Sequence, residues 1–123
     1  MGTYVMALWL DASRTISIGR LGRFLVPSGW YLYVGSAQGP GGNQARLLRH
    51  WRRIASGKRA HWHVDHLREY AVWGGAWACR SGQRLEGTWA DALRCQSDAG
   101  IVARGFGASD WGCETHLVRV ASM

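Results

Sequence analysis

A phenol, a guanidinium and an imidazole can be brought to one edge by the stretch Trp30 to Arg53, WYLYVGSAQGPGGNQARLLRHWRR. Such a set can neutralise an oxyanion and move a proton beside it. Trp30, Leu32 and Val34 alternate with Tyr31, Tyr33 and Gly35, the period of a strand with two unlike faces, so Tyr31 and Tyr33 point the same way. After the turn, Leu47, Leu48, Trp51 and Ile54 follow helical spacing. Arg46, Arg49, His50 and Arg53 fall at i, i+3, i+4 and i+7 on a roughly opposite stripe. The strand is expected to deliver a phenol, and the helix a guanidinium and an imidazole, to a common edge.

Two further groups have ligand chemistry. Glu86 opens an apolar helical stripe with Trp89, Ala90 and Leu93, a place that suits either the helix dipole or a metal at the edge of a core. His61, His63, Asp65 and His66 match the H-x-H-x-D-H spelling of the metallo-β-lactamase superfamily, whose ligands bind zinc. That resemblance implies a much larger layered fold with an apolar strand before the motif, whereas here a basic linker precedes it. The other reading makes His63 to Ala71 a helix that packs Val64, Leu67 and Ala71 inward. Cys113 and His116 also have ligand-like spacing, with Cys79 or Cys95 to complete a set, but no second such pair exists and buried thiols fit better.

The elements that must position these groups follow from the pattern on either side. Gly2 to Leu10 is a strand apolar on both faces, hence central. Thr15 to Ile18, Phe24 to Val26 and the Trp30 strand then read as a meander of hairpins, joined by turns at Asp11 to Ser13, Gly19 to Arg23 and Ser28-Gly29. The loop Gly35 to Gly42 holds four glycines and a proline but fits neither the Walker pattern nor the dinucleotide fingerprint. Asn43 is the expected N-cap of a helix reaching about Ala55, where Ser56-Gly57-Lys58-Arg59 ends it. Val72 to Arg80 is apolar and rejoins the sheet, a helix begins near Leu85, and Ile101 to Val120 gives a strand, the turn GFGASDWG and a last strand, His116 to Val120.

The chain of 123 residues is one domain, 1–123, large enough for a core without disulfides. Its net charge of +7 favours a polyanionic partner, with Arg49, Arg53, Lys58 and Arg59 as the basic residues expected to hold nucleic acid. Eight tryptophans are many for this length, and core or strand-edge packing accounts for most. Three cysteines without regular spacing suit a reducing compartment. No apolar run has membrane-spanning length and no signal-peptide pattern opens the chain, so the expectation is a soluble cytoplasmic protein without a membrane partner.

A family resemblance joins these features. Gly2-Thr3-Tyr4, Tyr33-Val34-Gly35, Arg46 with His50, and Glu86 resemble the ordered motifs of the GIY-YIG nuclease superfamily. More closely, the chain resembles its small stand-alone branch known as domain of unknown function 123. GTYVMALWL, GRLGRFLVPSGWYLYVGSA, RLLRHWRR, HWHVDHL, RLEGTWADAL and GFGASDWGCETHL match that branch in order and cover nearly the whole chain.

The resemblance implies an α+β fold, a small central antiparallel sheet flanked by helices, and hydrolysis of phosphodiester bonds with one divalent metal, Mg2+ or Mn2+. Carried over by position, Tyr4 and Tyr33 flank the attacked phosphate, and one of them orients or deprotonates water. Arg46 stabilises the phosphate, His50 assists proton transfer, and Glu86 binds the metal. Thr3 and Val34 depart from the family's isoleucines and keep the β-branched shape. Trp111 stands where a cysteine is expected. The expected substrate is nucleic acid, DNA ahead of RNA, with a protein partner supplying specificity where an attached domain does so elsewhere. Two rivals are a catalytically inactive nucleic-acid-binding module of the same fold, and a zinc hydrolase built on His61, His63, Asp65 and His66.

Overall fold

The structure is a computed structural model describing residues 2–37, 42–51, 63–80, 85–95, 99–101 and 115–120, with Ala37, Asn43 and Glu86 described by their backbone. Six strands and three helices lie within them: β1 (Gly2–Leu10), β2 (Arg14–Ile18), β3 (Gly22–Val26), β4 (Gly29–Ala37), α1 (Gly42–Trp51), α2 (His63–Arg68), β5 (Val72–Arg80), α3 (Glu86–Arg94) and β6 (Leu117–Val120). The fold is α+β. A four-stranded antiparallel sheet in the order β5-β1-β4-β6 is flanked by the helices.

β1 is central, as its two apolar faces require, but its neighbours are β4 and β5. This corrects the expected continuous meander: β2 and β3 form a hairpin that is a separate two-stranded sheet. The reason lies in the pattern of β2, which buries only Ile16 and Ile18. A strand of five residues with one apolar face cannot cover nine residues of β1, whereas β4 pairs with β1 along its full length, from Gly2 against Ala37 to Leu10 against Gly29.

Register sorts the side chains into two layers. Tyr4 lies opposite Gly35, Met6 opposite Tyr33 and Leu8 opposite Tyr31, so these residues share one face. That face carries the main core, where Tyr4, Met6, Leu8, Leu10, Tyr31 and Tyr33 join Ile16 and Ile18 of the hairpin and Val64, Leu67 and Ala71 around α2. Tyr31 and Tyr33 thus point together, and Val64, Leu67 and Ala71 face inward, both as the periodicity requires. α3 packs along β4 and β6, where Ala90, Val34 and Val118 are fully buried.

Of the α1 apolar stripe, Leu48 and Trp51 are outside, at 60% and 54% exposure, while Leu47 packs against the core and His50 of the polar stripe faces the sheet. Asn43 lies within α1, which already includes Gly42, so it is not the N-cap. None of the six described tryptophans, Trp9, Trp30, Trp51, Trp73, Trp77 and Trp89, is fully buried, but Trp73 packs against the core and Trp9 against Trp30 on the sheet, in line with core or strand-edge packing. Indoles here line surfaces: Trp30 reaches across to β5, where a Cβ on Gly74 would lie 2.6 Å from its ring, beside a register shift between Ala7 and Leu8. The strand expected from Ile101 falls on residues 102–114, outside the described ones, and Gly100 just before it bridges Arg119.

Candidate active site

β1, β4 and α1 bring the candidate groups to one end of the core face. The Tyr4 hydroxyl sits 2.7 Å from Nε2 of His50. The Tyr33 ring approaches the same imidazole edge-on, with ring centroids 6.0 Å apart, and the Tyr4 ring stands at 5.7 Å. Two phenols from adjacent strands therefore converge on one imidazole from the helix. His50 faces the sheet because α1 turns its polar stripe inward; at 1% exposure it is buried along with Tyr4 at 1% and Tyr33 at 4%.

Gly35 makes this convergence sterically feasible. A Cβ at that position would lie 2.3 Å from the Tyr4 hydroxyl, closer than any side chain tolerates. Tyr4 and Gly35 are register partners, so the phenol lies over a β4 residue that has no side chain. The next residue anchors the guanidinium: Arg46 donates through Nη1 to the Ser36 carbonyl at 3.1 Å. Arg46 is partly exposed, and thus fixes a positive charge at the solvent side of the buried pair.

Behind His50 stands a residue that the sequence placed elsewhere. Asp65 of α2 is fully buried, with Oδ1 3.5 Å from His50 Nδ1 and Oδ2 3.8 Å from Arg49 Nη2. Arg49 therefore partners a carboxylate in this structure. Arg68, one turn further on, donates to the carbonyls of Ala71 at 2.7 Å and Trp51 at 2.8 Å, tying α2 to the end of α1. Helical spacing alone could have flagged Asp65 and Arg68 as an i, i+3 pair, but nothing in the pattern said that this pair faces inward.

The remaining candidates stand on other elements or fall outside the described residues. Glu86 is the first residue of α3, on the helix that packs along β4 and β6. Arg53, Lys58, Arg59, His61 and Cys113 lie outside the described residues. His63 has its imidazole pKa held below the usual value, first by burial and then by the charge of His66. With Asp65 turned toward His50 and Arg49, the carboxylate of the histidine cluster is directed away from a zinc role. Among the described residues no three His, Cys, Asp or Glu side chains are grouped as a metal cage. His116 is buried, Cys79 half-buried and Cys95 exposed. No described helix is long and apolar enough to cross a membrane.

The arrangement offers a proton path through Tyr4 and His50 next to a fixed guanidinium, a combination suited to reactions at an anionic centre. The chain belongs to the family described as Domain of unknown function DUF123, which it matches over residues 3–123. No curated protein and no solved structure matches it.

Proposed function

We propose that the protein is a GIY-YIG-type nuclease that hydrolyses phosphodiester bonds in nucleic acid, DNA ahead of RNA, with a divalent metal. The observation that carries this reading is the meeting of Tyr4 and Tyr33 on His50, with Arg46 anchored one residue beyond the glycine that the Tyr4 phenol covers. Packing alone does not call for a buried hydroxyl, a buried imidazole and an anchored guanidinium at one point. The order of these residues in the chain agrees with the ordered motifs of that superfamily.

In this reading the phosphate meets Arg46 first, because the phenols and imidazole behind it are buried. The planar guanidinium neutralises non-bridging oxygens. Tyr4 takes a proton from the attacking water while its own hydrogen is drawn toward His50 Nε2. Tyr33, edge-on to His50, lines the other side of the phosphate. Glu86 would hold the metal. A single carboxylate suits Mg2+ or Mn2+, which keep most of their waters and complete their shell with substrate oxygens. When bound, the metal adds positive charge at the phosphate.

The test is cleavage of labelled single-stranded, duplex and branched DNA, and of RNA, with magnesium, manganese or chelator, by wild type and Glu86→Gln. Metal-dependent cutting that disappears in the variant while binding persists is the expected result. Equal binding by both proteins and no cutting of any substrate would overturn the stand-alone nuclease and favour the inactive binding module.

A further inference from the structure

Asp65 contacts the buried imidazole on the side opposite Tyr4, and the roles so far given to the site leave it unused. Its Oδ1 faces His50 Nδ1 at 3.5 Å while Tyr4 faces His50 Nε2 at 2.7 Å, so the imidazole lies between a phenol and a carboxylate. All three side chains are 1% exposed or less. Buried in this way, the carboxylate acts on the imidazole with little screening by water.

We infer that Asp65 is a positioning residue that holds His50 as the Nδ1–H tautomer, leaving Nε2 to accept the hydrogen of Tyr4. An ionised carboxylate has no hydrogen to give, so the nitrogen facing it carries the proton. A neutral imidazole has one donor and one acceptor, so the other nitrogen must accept, and the group facing Nε2 at 2.7 Å is a phenol that can donate. Arg49, 3.8 Å from the second carboxylate oxygen, sets an opposite charge beside Asp65.

This inference rests on the nuclease reading for its consequence. As the water oxygen forms its bond to phosphorus, its proton passes to Tyr4 Oη and the Tyr4 hydrogen passes to His50 Nε2. The scissile P–O bond breaks with its electron pair on the leaving oxygen, which takes a proton from solvent. Asp65 stabilises the imidazolium so formed, without itself being protonated. The logic is that of a carboxylate–imidazole pair behind a hydroxyl, known for serine hydrolases and here applied to a phenol.

Asp65→Asn separates orientation from bulk. Its carbonyl oxygen faces Arg49 and its amide NH2 faces Nδ1, which forces the proton onto Nε2 and turns His50 into a donor toward Tyr4. The experiment reads the His50 ring nitrogens in 15N-histidine-labelled protein, assigned by their loss in His50→Gln, and cleavage rates for wild type and Asp65→Asn.

The expected result is Nδ1–H in wild type, Nε2–H in the variant, and kcat lower by roughly 10²- to 10⁴-fold with affinity for uncleaved DNA retained. Nε2–H in wild type overturns the inference, whether or not the protein cuts and whether or not the variant folds. Nδ1–H in wild type with undiminished cutting by a folded variant also overturns it and leaves the nuclease reading standing. The proposed tautomers with no cutting by wild type on any substrate remove the nuclease reading and with it the positioning role in hydrolysis.

Discussion

Tyr4 and His50, 46 positions apart in the chain, meet at 2.7 Å inside the core. A buried hydroxyl and a buried imidazole satisfy each other there, so the pair is a structural element as much as a chemical one. Tyr4→Phe keeps the ring and its packing but leaves Nε2 of His50 facing a carbon. The expected cost is about 1–3 kcal/mol of unfolding free energy, the penalty for orphaning a buried polar group. The nuclease reading adds a fall in kcat of at least about 10²-fold. Urea unfolding and cleavage rates on the same preparation check both, and a variant as stable and as active as wild type would show that the contact contributes to neither.

Gly35→Ala tests the steric side of the same contact. Its Cβ would stand 2.3 Å from the Tyr4 hydroxyl and 2.4 Å from Cζ. Because that ring is fixed in the main core, the clash cannot be relieved by a swing into solvent. Overpacking of this kind costs about 1–3 kcal/mol, and the Tyr4–His50 contact should lengthen with it. Gly100→Ala is the control, since a Cβ there meets nothing within 4 Å, and its stability should stay within about 0.5 kcal/mol of wild type.

Much of this was readable in the chain because local period and local need agreed. β1 spans Gly2–Leu10 and β5 spans Val72–Arg80, matching the runs in which apolar residues and β-formers cluster. α2 buries Val64 and Leu67, as helical spacing requires. Strand pairing was not readable, because β2 is amphipathic enough to be a strand anywhere, and only the competition between partners sends it to β3 rather than β1. The inward face of α1 was also hidden. Apolar spacing groups Leu47 with Leu48 and Trp51, yet of these only Leu47 packs on the core and the helix turns His50 to the sheet, because Tyr4 and Asp65 give its imidazole partners that a solvent-facing rotation would forfeit.

The site was legible only in part for a related reason. Tyr33, Arg46 and His50 are close in sequence and sit on elements with clear periods. Asp65 comes from a motif whose histidines suggested zinc, and its role depends on how α2 docks beside α1, a tertiary fact. Gly35 looked like a loop residue, and its need for a missing side chain appears only when Tyr4 is set opposite it.

Tyr31 predicts an alkaline transition. Its hydroxyl donates to the Pro27 carbonyl at 2.5 Å. Burial pushes its pKa up to about 12, against the opposing pull of the Arg119 guanidinium. The folded value exceeds the ordinary one of about 10, so the folded state favours the neutral phenol. Its contribution to stability is therefore complete below about pH 10 and is lost as pH rises toward 12. Urea midpoints between pH 9 and 12 should fall more steeply for wild type than for Tyr31→Phe, and parallel curves would remove Tyr31 as the cause.

His63 sets the acid side by the opposite sign. Its pKa is lowered, chiefly by burial and secondly by the charge of His66, so folding favours the neutral imidazole. That contribution is present above the unfolded value of about 6.5 and is lost as pH falls through the lower folded value. His66→Gln removes the lesser cause and should move the His63 titration up only part of the way, because burial remains. His63→Gln should flatten the decline of the urea midpoint below pH 6.5. Proton NMR titration of the His63 ring in wild type and His66→Gln checks the order of causes. A full return to the ordinary value in His66→Gln would make charge, rather than burial, the dominant cause, and would imply that the turn of α2 is more open to water than the packing of Val64 and Leu67 around it suggests.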